Sequence, residues 1–467
     1  MAEFMLLIWP AVTLWLFTKY DKQQALILSL VAGYLLLPQL TTFFIPGLPG
    51  FDKHSIPVIV AAILLASKRH EKTVDDPPPM GPIVKFLLAI FIFTPLVTDL
   101  LNGDVLVDGN VVRPGLTVVS GVREVMSAYI EVLPLLLGYR YLHDYRGAKM
   151  LCGYVVLGML FYSIPMIIEV RLSPQINVWV YGYFQHDFLQ TIRYGGYRPI
   201  VFLEHPLWVA SITSIAFVFS VGLAKTDRSL RAKLTVAYLA LLLLICKSAG
   251  ALLLSMIFAP LIGFANPRRV LMICCIGVTL ATAYPVLRSS TFMPLQGIVD
   301  LAMSISPERG RSLEFRLMNE EKLLERALEK PMMGWGGSGR SLNVDPYDGD
   351  TVNIPDGLWV IFLGVRGLVG YLAAFLLLCA PVFLMYRAAS KYRSVESSEF
   401  PLLGSMAVAV TMNIIDLIPN ATLTPITWLI AGTLLGNAAR VYGGHAVTLA
   451  DGAEKPQPEK PGLVTII

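Results

Sequence analysis

Of 467 residues, 55% are hydrophobic and 15% are charged, whereas soluble domains carry about 25% charged residues. That balance excludes an ordinary soluble domain and places the chain among polytopic membrane proteins. The net charge of +4 is spread over many loops rather than gathered in one patch, so it speaks to orientation and not to a nucleic-acid partner.

Met1 to Glu3 lacks a basic n-region and the first apolar run has no small-residue cleavage site, so no signal peptide is expected. Cys152, Cys246, Cys274, Cys275 and Cys379 all lie in apolar runs without C-x-x-C spacing, which argues against a disulfide framework or a zinc site. His54, His70, His143, His186, His205 and His445 are scattered without H-E-x-x-H spacing, so no metal site is expected.

A membrane span needs roughly 17–25 apolar residues. Runs of this kind fall at 4–18, 24–44, 55–67, 82–100, 124–142, 148–168, 205–224, 234–246, 249–265, 270–287, 357–386, 400–419 and 424–440. The expected fold is therefore all-α and polytopic, with about twelve to thirteen transmembrane helices. The run from Leu234 to Ala265 holds 32 residues, about 48 Å as one helix. It is basic at both ends (Arg231 and Lys233; Arg268 and Arg269), and one span would bury Lys247 at mid-membrane at a cost of about 3 kcal/mol. A hairpin with Lys247 at its outer turn removes both conflicts.

Short loops carrying Lys19/Lys22, Lys68/Arg69/Lys72, Arg140/Arg146/Lys149, Lys225/Arg228/Arg231/Lys233 and Arg387/Lys391/Arg393 alternate with loops poorer in basic residues. By the positive-inside rule they are cytoplasmic, and the loops Asn102 to Arg123, Glu169 to Glu204 and Arg288 to Pro355 face outward. The chain thus divides into 1–287 (transmembrane helices with outer loops near 102–123 and 169–204), 288–355 (a large outer loop), 356–442 (C-terminal helices) and 443–467. That last segment is rich in Pro and charge, and is expected to be a disordered cytoplasmic end.

In the large loop, Ser312 to Lys330 reads as an amphipathic helix with Leu313, Leu317, Leu324 and Leu328 on one face, Ser312 as its cap and Pro331 as its stop. Arg316 and Glu320 then share a face at i and i+4, which on pattern alone is an ordinary surface ion pair. Gly334, Gly336, Gly337 and Gly339 follow, as either a concave run of N–H groups suited to an anion or a flexible turn. The second outer loop reads R-Y-G-G-Y-R-P-I-V-F-L-E-H-P and gathers Arg193, Tyr194, Tyr197, Arg198, Glu204 and His205 against a span. Arginine forks match phosphate oxygens and tyrosines stack on sugars, so the set fits a diphosphate-sugar ligand; an interfacial anchor is the plainer reading. Lys247 lies near the outer boundary, where it could simply snorkel. Asp356 and Asn353, where the large loop re-enters the membrane, could be a helix cap and a solvated neighbour. Arg366, Glu131 and Asp416 lie deeper, where ionisable groups are functional or internally paired.

The combination of a K/R-S-x-G hairpin turn at Lys247–Gly250, R-x-x-S-L-E-F-R-x-x-N-E from Arg309, P-x-x-G-W-G from Pro331, then D-G-L-W from Asp356 and G-x-x-G resembles the O-antigen ligase and polymerase superfamily of bacterial envelope glycosyltransferases. The motifs cover roughly Arg193 to Tyr371. The resemblance implies a GT-C-like, multi-pass inner-membrane enzyme that works at the periplasmic face on undecaprenyl-diphosphate-linked oligosaccharides without metal or cofactor. Its partners would be those lipid-linked glycans and the bilayer, with a chain-length regulator and export machinery as optional ones and no nucleic acid. Carried over by motif, Lys247 stands where the family usually has arginine, Arg316 stands in the large-loop arginine motif, and Arg198 is a looser match.

Lipopolysaccharide ligases carry a histidine where this chain has Pro355–Asp356, which favours an exopolysaccharide or O-antigen polymerase over a ligase acting on lipid A core. The family's twelve spans with both ends cytoplasmic also differ from the thirteen runs counted here. The implied chemistry places Arg198, Lys247 and Arg316 around the diphosphate, with Arg193, Tyr197, Glu204 and His205 beside them. Asp356 is the general base for the acceptor hydroxyl and Glu320 the second choice. A lipid-linked-sugar transporter or flippase, and a non-catalytic assembly partner, are the rival classes.

Overall fold

The computed structural model describes residues 1–67, 76–288, 295–345, 347, 350–391 and 399–443. Lys68, Arg69, His70, Lys72, Arg393, His445 and the tail from 444 lie outside the described residues. In chain order the helices are α1 (Ala2–Lys19), α2 (Lys22–Leu36), α3 (Ile56–Ser67), α4 (Pro82–Leu100), α5 (Val118–Tyr141), α6 (Tyr145–Leu172), the short α7 (Ile176–Tyr181), α8 (Pro206–Thr226), α9 (Leu230–Ile245), α10 (Ala249–Phe264), α11 (Pro267–Thr282), the short α12 (Tyr284–Arg288), α13 (Leu295–Ile305), α14 (Pro307–Leu328), α15 (Leu358–Lys391), α16 (Phe400–Asp416) and α17 (Pro425–Tyr442). Two antiparallel ribbons complete the description: β1 (Leu106–Asp108) with β2 (Val111–Arg113), and β3 (Ile192–Arg193) with β4 (Gly196–Tyr197).

Each of the thirteen apolar runs contains helix, although α2 stops at Leu36, short of the end of the 24–44 run, and the 270–287 run breaks after Thr282 into α11 and α12; α1, α4, α6, α8 and α15 are long and apolar enough to cross a membrane. The chain is an all-α polytopic membrane protein. Local chemistry sets the boundaries. Asp21, Asp144, Ser229, Asn266 and Thr424 each accept an N–H of the helix they cap, and Thr117 and Ser120 form a reciprocal capping box. The Leu234–Ala265 run does break into a hairpin: α9 ends at Ile245, α10 starts at Ala249, and Lys247 turns the chain at φ 51°. One apolar core runs through the bundle around α15, α16 and α17. There α17 and α5 approach closely, because a methyl on Gly432 would lie 2.0 Å from the Leu135 carbonyl oxygen.

Hydrogen bonds join the basic turns into one end of the molecule. Arg146 pairs with Asp21, Asn437 donates to the Leu142 carbonyl, Lys391 to that of Tyr442, Arg268 to that of Ala389 and Lys225 to that of Ile262. The opposite end collects the long loops: Tyr181 donates to the Leu36 carbonyl, Gln39 to Glu204, Arg198 to the Cys246 carbonyl and Asn102 to that of Gly334. Followed helix by helix, the chain enters α1 at the loop end and leaves α17 at the basic end.

Three local expectations change. The large-loop helix runs from Pro307 with Ser306 as N-cap, not from Ser312, because Pro307 at its first position extends the start. Its packed face is Asn319, Leu323 and Ala327, while Leu328 is exposed. Asn353 is fully buried beside Asn319 rather than solvated.

Candidate functional site

The second outer loop owes its shape to a buried carboxylate. Glu169, near the end of α6, accepts the N–H groups of Ile176 (3.1 Å), Ile200 (2.8 Å) and Val201 (2.8 Å). This pins the chain that follows the β3–β4 ribbon and fixes Arg198, whose own N–H donates to the Thr191 carbonyl at 2.7 Å. The ribbon folds over the α9–α10 turn. Lys247 Nζ donates to the Arg193 carbonyl at 3.1 Å, Arg193 Nη1 to the Lys247 carbonyl at 3.5 Å, and Arg198 Nε to the Cys246 carbonyl at 3.4 Å. Gly196 permits this contact, since a methyl there would stand 2.6 Å from Lys247 Nζ.

Arg198 is 2% exposed, and its Nη2 has no hydrogen-bond partner. Burial pushes its pKa down to about 10, and the neighbouring Arg193 and Arg316 act in the same direction, so it stays charged at neutral pH. Arg316 therefore joins the group from α14, where its Nε lies 3.4 Å from Asp356 Oδ2. Asp356 stands two residues before α15, and each partner of this pair is about two-fifths exposed (38% and 40%). The structure thus joins Arg193, Arg198 and Lys247 by hydrogen bonds, and the Arg316–Asp356 pair lies near enough for Arg316 to act on Arg198 electrostatically.

His205 sits beside them and caps α8. Its Nδ1 accepts the Leu207 N–H at 3.0 Å and its Nε2 contacts Gln190 Oε1 at 3.1 Å, so the ring is neutral with its proton on Nε2. Burial first, then His186, Arg198, Arg316 and Arg193, push its pKa down to about 3.

Three expected residues point elsewhere. Glu320 does not pair with Arg316; Tyr284 donates to it at 3.5 Å, and burial raises its pKa against the pull of Arg288. The face of α14 that packs decides this, since Asn319 and Leu323 are buried and turn Glu320 toward α12. Glu204 accepts from Gln39 at 3.0 Å, and Lys53 is close enough to lower its pKa against the dominant effect of burial. The buried Lys53 in turn donates to the Phe202 carbonyl and is drawn down to about 7 by its own burial. Tyr197 packs on Phe188.

The glycine run does not form an anion nest. Trp335 and Gly336 donate their N–H groups to the Gly364 and Val365 carbonyls at 2.8 and 2.9 Å, while Leu368 and Val369 donate back to Pro331 and Met332. The segment docks on a break in α15 at Gly367 (φ 64°), where a methyl would lie 2.3 Å from the Met332 carbonyl oxygen. The deeper charges find partners as well. Arg366 pairs with Glu131 at 3.5 Å, and Asp416 accepts from Asn420 (2.8 Å) and Thr422 (2.7 Å).

No family model matches the chain and no curated protein matches it.

Among the described residues, no group of three or more His, Cys, Asp or Glu side chains could hold a metal. Sequence reasoning missed Glu169 and Lys53. Glu169 looked like the first polar residue after a span, and nothing local marks it as an acceptor for backbone 31 residues away.

Proposed function

We propose that this protein is a glycosyltransferase that polymerises undecaprenyl-diphosphate-linked oligosaccharide repeats at the periplasmic face of a bacterial inner membrane, as an exopolysaccharide or O-antigen polymerase. The observation that carries the reading is the set of cations Arg193, Arg198 and Lys247 at the end of the bundle opposite the basic turns, with Arg316 near enough to act on Arg198 and itself paired to Asp356. By the positive-inside rule the end away from the basic turns faces outward, and a cluster of cations there suits a lipid diphosphate.

In the reaction, the bond between the anomeric carbon of the donor glycan and its diphosphate oxygen breaks while the acceptor hydroxyl oxygen bonds to that carbon. The hydroxyl proton passes to Asp356, and the electron pair leaves with undecaprenyl diphosphate, whose charge the cations stabilise. The half-exposed Arg316–Asp356 pair is worth little, roughly 0–1 kcal/mol, so an arriving diphosphate can draw Arg316 away and leave the carboxylate free to act as base. Glu320, held against Tyr284 and Arg288, supports α14 instead. The aspartate in place of a histidine is what supports polymer formation over ligation to lipid A core.

The test is a reconstituted system of purified protein and purified lipid-linked repeats. Long products are expected from the wild type, and a drop of about 100-fold or more from Arg316→Ala and Lys247→Ala at unchanged protein level, the size seen when one transition-state donor is lost. Wild-type polymer lengths from both variants would overturn the diphosphate clamp. Absence of polymer from the wild type would favour a transporter or assembly partner, and transfer onto lipid A core a ligase.

A further inference from the structure

Asp416 stands where a carboxylate is least at home. It is the last residue of α16, where the helix dipole disfavours an anion, and it ends an apolar helix of the bundle, where an ionisable group is costly. A residue that breaks two local rules at once calls for a function that compensates.

What Asp416 holds is the turn that follows it. Asn420 Nδ2 donates to Asp416 Oδ1 at 2.8 Å and Thr422 Oγ1 to Oδ2 at 2.7 Å, while the Asn420 N–H donates to the Asp416 carbonyl at 3.0 Å. Each carboxylate oxygen thus fixes one residue of the turn, and Thr422 is fully buried. So shaped, the turn offers two carbonyls to one donor. The N–H of Leu358, the first residue of α15, reaches those of Leu417 and Asn420 at 3.0 and 3.1 Å. Gly357 lets the two segments close up, because a methyl there would lie 2.1 Å from the Ile418 carbonyl oxygen.

Asp356 lies two residues before Leu358. On its other side the fully buried Asn353 donates by Nδ2 to Asn319 Oδ1 at 3.4 Å, and Asn319 is on α14, three positions after Arg316. The backbone that carries Asp356 is therefore tied to α14 at one end and to the turn after α16 at the other. The Arg316–Asp356 separation of 3.4 Å is set between those two anchors.

We propose that Asp416, Asn420 and Thr422 are positioning residues for Asp356: they shape the turn that grips the Leu358 N–H, and so hold the Asp356 carboxylate where an acceptor hydroxyl can meet it. What Asp356 does there rests on the function proposed above, whereas the clasp rests on the hydrogen bonds alone. A general base must come within about 2.6–3.2 Å of the proton it takes, and a displacement of about 1 Å can lower a rate about 100-fold.

Thr422→Val removes one donor to Asp416 and keeps the side-chain shape; Thr422→Ser keeps the donor. Two measurements on the full-length protein in nanodiscs read the effect: hydrogen exchange of peptides covering 354–360, and steady-state kinetics with purified lipid-linked repeats. In Thr422→Val, exchange over 354–360 should be about 10-fold faster, while peptides covering 225–233 stay unchanged. Its kcat should fall about 10- to 100-fold with KM within about 2-fold, because the cations assigned to the diphosphate are untouched. Thr422→Ser should restore both exchange and kcat. Asn420→Ala, which removes the other donor, serves if Thr422→Val does not fold.

Unchanged exchange over 354–360 in the folded variant would overturn the clasp. Faster exchange with wild-type kcat would overturn the positioning role and leave the polymerase reading standing. A loss carried by KM, or one that Thr422→Ser does not restore, would reduce the network to support of the fold and overturn the proposal as well. A wild type that makes no polymer would retire the polymerase reading and, with exchange faster in Thr422→Val and restored in Thr422→Ser, keep the clasp.

Discussion

Glu169 offers the sharpest test of how the site is built. It is completely buried, and its two oxygens accept three backbone N–H groups, from Ile176 to Oε1 and from Ile200 and Val201 to Oε2. Glu169→Ala leaves three donors without an acceptor. At roughly 1–3 kcal/mol for each unsatisfied group, and with some relief by water entering the loop, local destabilisation of about 3 kcal/mol or more is expected. Hydrogen exchange measured by mass spectrometry should then speed up by about 100-fold in peptides covering 196–205, since each 1.4 kcal/mol is tenfold. Peptides covering 225–233 at the basic end should not change. Glu169→Gln keeps an oxygen for Ile200 and Val201 but turns an amide nitrogen toward the Ile176 N–H, so it should cost only about a third as much. Unchanged exchange over 196–205 in the alanine variant would refute the role of Glu169, and equal effects of Ala and Gln would refute the division of the three bonds between its two oxygens.

His205, with its pKa held near 3, binds no proton in the folded state over a range where the unfolded chain binds one at its ordinary value of about 6.5. Its stability contribution is therefore complete above about pH 6.5 and lost progressively as pH falls toward 3; His205→Asn, which still caps α8, should flatten unfolding curves in that window, and an unaltered slope would count against a neutral His205. Gly367→Ala must place a side chain at φ 64° and a methyl 2.3 Å from the Met332 carbonyl oxygen, so a loss of about 2–5 kcal/mol is expected in chemical denaturation, and a near-neutral result would deny the docking of 331–336 on the α15 break.

Much of this molecule was legible because the bilayer leaves few choices. Apolar runs had to be helices, and Lys247 with its basic flanks decided the α9–α10 hairpin before any coordinates did. The site was legible where residue type alone carries the chemistry, as with Arg193, Arg198, Lys247 and Arg316. It was not legible where the outcome depends on which helices become neighbours. Arg316 and Glu320 have ideal spacing for a pair, yet Arg316 is taken by Asp356 across 40 positions and Glu320 turns to Tyr284. The glycines from 334 to 339 offered an anion nest or a flexible turn, but sequence gives no hint that the N–H groups of Trp335 and Gly336 serve a broken turn of α15. Glu131 and Arg366 were visible as costly charges, and only the packing of α5 near α15 makes them partners.

The distribution of satisfied and unsatisfied charge gives the placement of the site its physical reason. Arg340 is as buried as Arg198, but its guanidinium donates to two carbonyls, those of Pro114 and Asp104, at 2.9 and 3.1 Å. Arg326 has Asp108 and Glu329, Arg366 has Glu131 and Arg440 has Glu399. Each of these has at least one close carbonyl or carboxylate partner, although Arg340 Nε, Arg326 Nε, Arg366 Nη1 and Arg440 Nε are buried without one, as Arg198 Nη2 is. Arg198 has one carbonyl at 3.4 Å and, among the described residues, no carboxylate in ion-pair contact, while Arg193 and Arg316 add to the positive potential around it. A buried cation left in that state raises the free energy of the folded protein. A ligand anion would relieve that cost, and the lack of any carboxylate partner is what sets Arg198 apart from the carboxylate-paired Arg326, Arg366 and Arg440 as the centre of the proposed anion site.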